Sequence, residues 1–539
     1  MRCCICLIAG LISLPQVIFG QLARSTATNI VLVKSTNNVS WWAGIVEHGS
    51  QMPLTNGYSA NVWGENYQNQ VQPLLLSDQG DVIWSEDPFK IQFQQGTLSV
   101  ESKGDRMLWS KAGSSLREAF LYASGKYFPS SGKTPDELLF SYPQYNTWIE
   151  LMYDQNQVDI LKYAKGIRDH GFPAGVLMID DNWQEDYGKW DFNKGRFQDP
   201  KAMVATLHAL GFKVMLWVCP FISPDSDVYR DLAKKNLLVK DGSGEPAIVR
   251  WWNGASALLD FTNPRTVDWF RSRLDYLQAT YQVDGFKFDG GDSYFYNGVV
   301  ASQPVSPNTH SELYGRIGLD YPLNEYRAMW KMGGQALGER LSDKAHSWAD
   351  LQKLVPDMIL EGLMGYPFSC PDMIGGGEFT SFLPGSSTID QELIVRSAQC
   401  QALMPMMQFS VAPWRILDKA HLNAVLKAVK VREDHRDYIL KLVAQSASSG
   451  EPIVRSMEYV FPHQGYERVN DQFMLGNKIL VAPVLENKVS EREVMLPPGA
   501  WRGFDGKLYQ GPARFALAVR YDELCYFEKA ETTAETARK

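Results

Sequence analysis

Ten residues, Val283 to Asp292, read V-D-G-F-K-F-D-G-G-D. A short apolar strand there ends on the carboxylate of Asp289, and Gly290 and Gly291 follow at once. A strand that stops on a carboxylate, with tight backbone geometry just beyond, is how a parallel barrel presents a catalytic group, and Asp289 is the candidate nucleophile. The plain alternative is a buried strand ending in a solvated Asp. Other carboxylates lie downstream, among them Asp343 and Asp372. Cleavage of a glycosidic bond needs two carboxyl groups of unequal protonation: one attacks the anomeric carbon as an anion, and the other donates a proton to the leaving oxygen. A separation of about 5 to 5.5 Å between the pair means a covalent intermediate and retained configuration.

Residues so far apart in the chain can work together only if a fold converges them. From about Asn29 to Leu138 short alternating segments such as N-I-V-L-V-K and F-K-I-Q-F, broken by Gly, Asn and Asp-Pro, predict an antiparallel β-sandwich. From about Tyr145 apolar strands alternate with longer amphipathic helices, the signature of parallel βα units. Strands are expected at 148–153, 175–180, 213–219, 284–289, 325–331, 339–343, 366–370 and 403–409, and eight closes a (β/α)8 TIM barrel. Beyond about Gly450 the chain returns to strands and turns, which predicts a C-terminal β-sandwich. The expected division is 1–20 signal peptide, 21–140 N-terminal β-sandwich, 141–447 barrel, 448–530 C-terminal β-sandwich and 531–539 disordered tail.

On that scheme the strand ends carry one set of polar residues: Asp180 and Asp181 on the second, Trp217 on the third, Lys287 and Asp289 on the fourth and Arg327 on the fifth. Asp343 follows the sixth and Asp372 the seventh. The C-terminal strand ends of a barrel meet on one face, so these side chains can line one pocket. Lys287, two residues before Asp289 on the same strand face, favours the ionised form of Asp289, and Arg327 and Arg340 do likewise or hold substrate hydroxyls. Each residue also has a structural reading: Asp180 or Asp181 as a cap, Asp372 as an organiser of its glycine-rich loop, Trp217 as core. Cys370, two positions before Asp372, either packs or lines the sugar subsite, and lining is the reading adopted.

Composition narrows the ligand. The net charge of −8 arises from 53 basic and 61 acidic residues without long runs of one sign, so neither nucleic acid nor an anionic membrane surface is indicated. No H-E-x-x-H, paired C-x-x-C or phosphate-binding glycine loop occurs, and neither a metal nor a cofactor is expected. Sixteen Trp, 24 Tyr and 25 Phe supply many flat faces of the kind on which sugar rings stack. Arg2, the apolar run Cys3 to Phe19, and Gly20 before Gln21 have the layout of a secretory signal peptide, so export is expected, with no membrane association after cleavage. Cys219, Cys370, Cys400 and Cys525 remain, widely spaced, and read as isolated thiols.

The segment from Asp343 to Gly376, with Trp348, Pro356, G-Y-P-F around Tyr366 and P-D-M-I-G-G from Pro371, resembles the acid/base region of glycoside hydrolase family 31, and K-F-D-G-G-D is similar to that family's nucleophile motif. The resemblance runs from about Tyr145 to beyond Ser410. It implies Asp289 as nucleophile, Asp343 as general acid/base, Asp372 as a sugar ligand and Arg327 in the sugar subsite. It further implies Trp217, Trp251 or Trp252, and Asp180 or Asp181 around the sugar. R-L-S-D-K-A-H-S-W and the Q-F-S stretch at Gln408 to Ser410 are most similar to the α-galactosidase and myogenesis-regulating glycosidase branch. Most α-glucosidases of the family carry a His near the position of Phe409 or Ser410, and its replacement fits a sugar epimeric at the 4-position. Asp292 stands where the motif usually has Glu, which puts the supporting role of that position in question. A retaining exo-α-galactosidase with a carbohydrate substrate is therefore expected. The alternatives are an α-glucosidase, α-xylosidase or α-N-acetylgalactosaminidase, or a non-catalytic carbohydrate-binding protein.

Overall fold

The computed structural model describes residues 24–25, 28–34, 39–104, 106–383, 385–386 and 389–530. The expected leader 1–20 and tail 531–539 lie outside the described residues. At the centre stands a parallel barrel of eight strands: β1 Gln144–Asn146, β2 Val176–Ile179, β3 Lys213–Val218, β4 Gly285–Phe288, β5 Asn324–Tyr326, β6 Glu339–Arg340, β7 Ser369–Cys370 and β8 Gln408–Phe409. β8 pairs with β1 on one side, and on the other the Ile374 N–H, just past β7, donates to the Gln408 carbonyl at 2.8 Å. That bond brings the two ends of the sheet together.

The strands are short and buried on both faces, as a sheet sheathed in helices must be. Side chains alternate, so on β4 Phe286 and Phe288 point outward, with Phe288 packed against Tyr314 of the following helix, while Lys287 points inward. Trp217, Lys287 and Glu325 occupy matching register positions on β3, β4 and β5. Asp289, one repeat beyond Lys287, emerges at the mouth. The surrounding helices begin on side-chain caps: Asn156, Asp199, Asn263, Ser306, Ser347 and Asp390 each accept a backbone N–H of the first turn. Pro200, Pro264 and Pro307 sit in the first turn, where a missing N–H costs nothing.

The first expected strand is displaced. T-W-I-E-L-M contains a turn of helix, Trp148–Leu151, and β1 lies just before it. The cause is that β1 turns Gln144 and Asn146 into the barrel, where Gln408 Nε2 donates to Gln144 Oε1 at 2.9 Å, so the strand lacks an apolar signature. The fifth expected strand is divided, because Met329–Trp330 leaves the barrel to pair with Gln70–Val71 of the N-terminal region. The sixth, seventh and eighth are trimmed to two residues each.

In the N-terminal region antiparallel strands form two sheets as far as Lys111. The expected strand pattern ends there. Leu116–Tyr127 is a helix that buries Leu116, Ala119, Phe120 and Ala123, a spacing of three and four rather than two. The C-terminal region is a six-stranded antiparallel sheet built around the long hairpin Glu491–Gly503 and Leu508–Ala518. Between barrel and C-terminal sheet runs the helix Lys419–Ser449, which stops at Gly450 in the left-handed conformation (φ 76°). The four cysteines of the described region are unpaired and buried.

Arg432 of that long helix is fully buried, with no carboxylate partner among the described residues. It donates to the carbonyls of Met404 (2.8 Å) and Pro405 (2.6 Å), which lead into β8, and of Phe140 (2.7 Å), which leads into β1. One guanidinium thus satisfies the backbone ends of the two strands that close the barrel. Replacing it by Met strands buried carbonyls, so Arg432→Met is expected to lose about 2 to 4 kcal/mol in urea unfolding. A loss under about 0.5 kcal/mol would show that these carbonyls find other partners.

Candidate functional site

At the C-terminal mouth of the barrel lies a cavity of about 930 Å³. Asp180, Asp181, Trp217, Trp252, Lys287, Asp289, Arg327, Arg340 and Asp343, all anticipated from sequence, line it. Asp372 and Cys370 do not. Asp372 is wholly buried behind Arg340, and Cys370 pairs with Arg340 in register on β7, inside the barrel. The Cys370 thiol packs near Gln408 Nε2 (3.8 Å), and burial, reinforced by Glu325, pushes its pKa up.

Asp289 is held by three donors to its carboxylate and by one backbone hydrogen bond to β3. Oδ1 accepts from Arg327 Nε (2.9 Å) and from the Gly290 N–H (2.8 Å), while Oδ2 accepts from Trp217 Nε1 (3.0 Å). The Asp289 N–H is itself tied to the Val218 carbonyl at 2.9 Å. Burial alone would raise the carboxyl, but the charges of Arg327 and Lys287 overcome it and hold Asp289 well below the usual range. Both glycines after it are required. Gly290 has φ +69°, and a Cβ there would meet Phe221 at 2.6 Å; a Cβ on Gly291 would meet Tyr314 at 2.6 Å.

Asp292 does support the site despite its short side chain. Fully buried, it receives Arg327 Nη2 at 2.6 Å and Nη1 at 3.3 Å, so Arg327 bridges two carboxylates. Arg327 Nη1 also donates to the Gln68 carbonyl (3.2 Å), from the N-terminal region. The exposed ring of Trp252 lies 5.4 Å from the Arg327 guanidinium, at the tip of a hairpin formed by Ile248–Trp251 and Gly254–Leu258.

A second arginine organises the other carboxylate. Arg340 Nη1 contacts Asp343 Oδ1 at 2.8 Å and Asp372 Oδ1 at 2.6 Å. Asp372 Oδ2 accepts the Lys344 N–H (2.8 Å), so Asp372 secures both the arginine and the backbone next to Asp343. It does so at φ +78°, a strained conformation for Asp. Burial pushes its carboxyl up, against the pull of Arg340. Asp343 keeps 49% of its side chain exposed, unlike Asp289 at 13%. Gly377 passes so close that a Cβ there would stand 2.9 Å from Asp343 Cγ.

The adjacent pair Asp180 and Asp181 divide by partner. Asp180 forms a buried ion pair with Lys287 Nζ at 2.7 Å. Asp181 has, among the described residues, neutral donors only: Gln184 Nε2 (3.1 Å), the Asn182 N–H (2.6 Å), Tyr187 Oη (3.1 Å) and the Asn253 amide. Burial first, and the neighbouring Asp180 charge next, push Asp181 up to about 7, opposed by these hydrogen bonds.

The reading from sequence did not find the cavity's outer walls. Glu47, Glu65, Tyr67 and Gln68 come from the N-terminal region; Trp148, Tyr153, Tyr294 and Phe379 come from loops after barrel strands. Trp148, Tyr153 and Phe379 form one edge-to-face cluster, with centroids 5.3 to 6.4 Å apart. Only the aromatic character of these loops was visible beforehand. Among the described residues there is no group of three or more His, Cys, Asp or Glu suited to a metal ion, and no helix is long and apolar enough to cross a membrane.

The sequence model of the glycosyl hydrolases family 31 TIM-barrel domain matches residues 137–340, and that of the family's C-terminal domain matches 450–532. The chain belongs to glycoside hydrolase family 31. Relatives include the myogenesis-regulating glycosidase of Mus musculus, 35% identical over 434 residues, or 77% of this chain and 60% of that protein. The alpha-xylosidase XylQ of Lactiplantibacillus pentosus is 27% identical over 85% of this chain and 63% of its own length. This chain thus spans about three fifths of these two curated relatives. Among solved structures, a Flavobacterium johnsoniae GH31 dextranase complexed with glucose has a TM-score of 0.83 at 18% identity, covering 94% of this chain and 67% of that one. A GH31 alpha-xylosidase from a soil metagenome, complexed with xylose, has a TM-score of 0.82 at 17% identity, covering 96% and 82%. At these identities the family's fold is what is shared.

Because Asp181 binds its proton more tightly in the folded than in the unfolded chain, the folded state holds the extra proton between about pH 4 and pH 7. Stability contributed by this group is therefore lost as pH rises through that window. Asp181→Asn removes the titration. Thermal unfolding of both proteins from pH 4 to pH 8 is expected to show the parent losing ground to the variant as pH rises; a constant difference would mean that Asp181 titrates normally.

Proposed function

We propose that the protein is a secreted, retaining exo-α-glycosidase that hydrolyses terminal α-galactosides. The observation that carries the reaction class is the pair of carboxylates, Asp289 and Asp343, facing one cavity, each tied to a buried arginine of its own. The two have opposite environments, as the chemistry requires. Asp289 is kept anionic, and among the described residues its Oδ2 has only the Trp217 indole as partner, which leaves lone-pair capacity for attack on the anomeric carbon. Asp343 is half exposed, within reach of water, and gives its proton to the departing oxygen. In the second half-reaction Asp343 takes a proton from water, which releases the sugar from Asp289. Asp180, Asp181, Lys287, Arg327 and Arg340 present polar atoms to the ring hydroxyls, and Trp217 and Trp252 supply apolar walls. Asp372 acts through Arg340 and the backbone of Lys344.

Galactose is favoured because the eighth strand offers no imidazole to a sugar. Phe409 stacks on Tyr145 and packs against Phe172, and the Ser410 hydroxyl accepts the Ile149 N–H at 2.7 Å, so both side chains are spent on packing. The second reading is an α-xylosidase, favoured by the similarity to XylQ along most of the chain. Export rests on the leader-like residues 1–20.

A panel of 4-nitrophenyl α-glycosides separates these readings. The galactoside is expected to be cleaved in preference to the glucoside and xyloside, with the sugar first released as the α-anomer. Asp289→Ala is expected to lower kcat by about 10⁴-fold or more, and Asp343→Ala by about 10²- to 10⁴-fold on substrates with poor leaving groups. Preference for glucoside or xyloside overturns the galactoside reading; variants as active as the parent overturn the assignment of both carboxylates.

A further inference from the structure

The charges around the cavity do not balance. Among the described residues that line it are eight Asp and Glu side chains and three bases, Lys287, Arg327 and Arg340. None of the three bases is free to meet a ligand anion. Lys287 is committed to Asp180 at 2.7 Å. Arg327 lies between Asp289 and Asp292, and Arg340 between Asp343 and Asp372. Just behind the wall, Lys344 is likewise shared, with Glu47 at 3.4 Å and Asp357 at 3.3 Å. Arg327 and Lys344 therefore each serve two carboxylates, and Arg340, whose Nε also lies 3.7 Å from Glu325 Oε1, serves three.

The surplus includes two outer residues. Glu65 accepts the backbone N–H groups of Asn66 (2.9 Å) and Tyr67 (2.7 Å), and Glu378 accepts those of Thr380 (2.6 Å) and Ser381 (3.3 Å). Backbone donors fix both carboxylates in place, and neither forms an ion pair among the described residues. Although burial works against it, the hydrogen bonds of Thr380 and Ser381 lower the Glu378 carboxyl, which is therefore anionic at neutral pH. A concave site lined by one sign of charge focuses its potential on whatever enters.

We infer that this site selects glycosides by charge, accepting neutral or amine-bearing aglycones and rejecting those that carry a carboxylate, sulfate or phosphate. The inference deepens the glycosidase reading and rests on it. An anionic aglycone would lose hydration at the mouth, find every cation of the described lining already paired and face the Glu65 and Glu378 carboxylates, a repulsive element that discriminates without any added contact. An ammonium group would meet Glu65 and Glu378 with no competing cation.

The test uses three glycosides of whichever sugar the aryl panel selects, with 3-hydroxypropyl, 3-aminopropyl and 2-carboxyethyl aglycones, followed by release of the free sugar. At about 20 mM salt kcat/KM for the carboxyethyl glycoside is expected to fall about tenfold below that of the hydroxypropyl one, with the aminopropyl glycoside at or above it. The gap should shrink at about 500 mM salt, where the Debye length falls below about 5 Å. It should also shrink in the Glu65→Gln, Glu378→Gln double variant when each rate is divided by that protein's own hydroxypropyl rate. Equal rates at low salt, or a gap that neither salt nor the double variant reduces, would overturn charge selection while leaving the glycosidase reading intact. No cleavage of any aryl glycoside in the panel overturns that reading, and this inference with it; cleavage of an aryl glycoside with none of the three alkyl glycosides cleaved overturns charge selection alone.

Discussion

A charge buried at the mouth of a barrel must find a counter-charge, and in this protein that requirement organises nearly everything else. Removing an ion from water costs several kcal/mol even after relaxation. Lys287, Arg327 and Arg340 are all buried, and each is compensated by carboxylates brought in from other strand ends. The pairings fix the relative positions of β2, β4, β5 and β6 and of the loops that carry Asp292, Asp343 and Asp372. They also fix chemistry, since the same arginine that neutralises Asp292 leaves Asp289 ionised against the pull of burial. Structure and protonation state have one cause here.

That arrangement extends beyond the barrel. Gln70, from the N-terminal sheets, donates to the carbonyls of Arg327 (2.8 Å) and Arg340 (3.1 Å), the residues that bear both site guanidinium groups. Gln68 gives its carbonyl to Arg327, and Glu47 accepts from Ser342 at 2.7 Å beside Asp343. Met329–Trp330 even leaves the barrel to join the N-terminal sheet. The N-terminal region is thus a wall and support of the site. A barrel alone would lose the Gln68 carbonyl that accepts from Arg327 and the Gln70 amide that holds the backbone carbonyls of Arg327 and Arg340.

How much was legible in advance follows from how each element is buried. β4 could be read because its outward face is Phe286 and Phe288 and its end is marked by two glycines that a tight, crowded turn demands. β1 could not, because Gln144 and Asn146 point into a polar barrel interior and leave no apolar alternation to detect. The helix Leu116–Tyr127 lay hidden among strand-like segments for a related reason, since a single amphipathic helix packed on a sheet contributes only one short run of spacing at three and four. Asp292 was doubted for its length, yet a short carboxylate reaches when its arginine is drawn close by a second one.

The sequence by itself determined the order of regions, the eight-strand barrel as an architecture, and nine polar or aromatic residues that meet at its mouth, because strand-end chemistry and glycine spacing are local properties. Only the tertiary structure decided which carboxylate pairs with which cation, that Asp372 and Cys370 stand behind the cavity rather than on it, and that loops of the N-terminal region complete its wall. Those outcomes depend on distances between residues hundreds of positions apart and on how many carboxylates compete for each buried base. Neither quantity is written in any local segment.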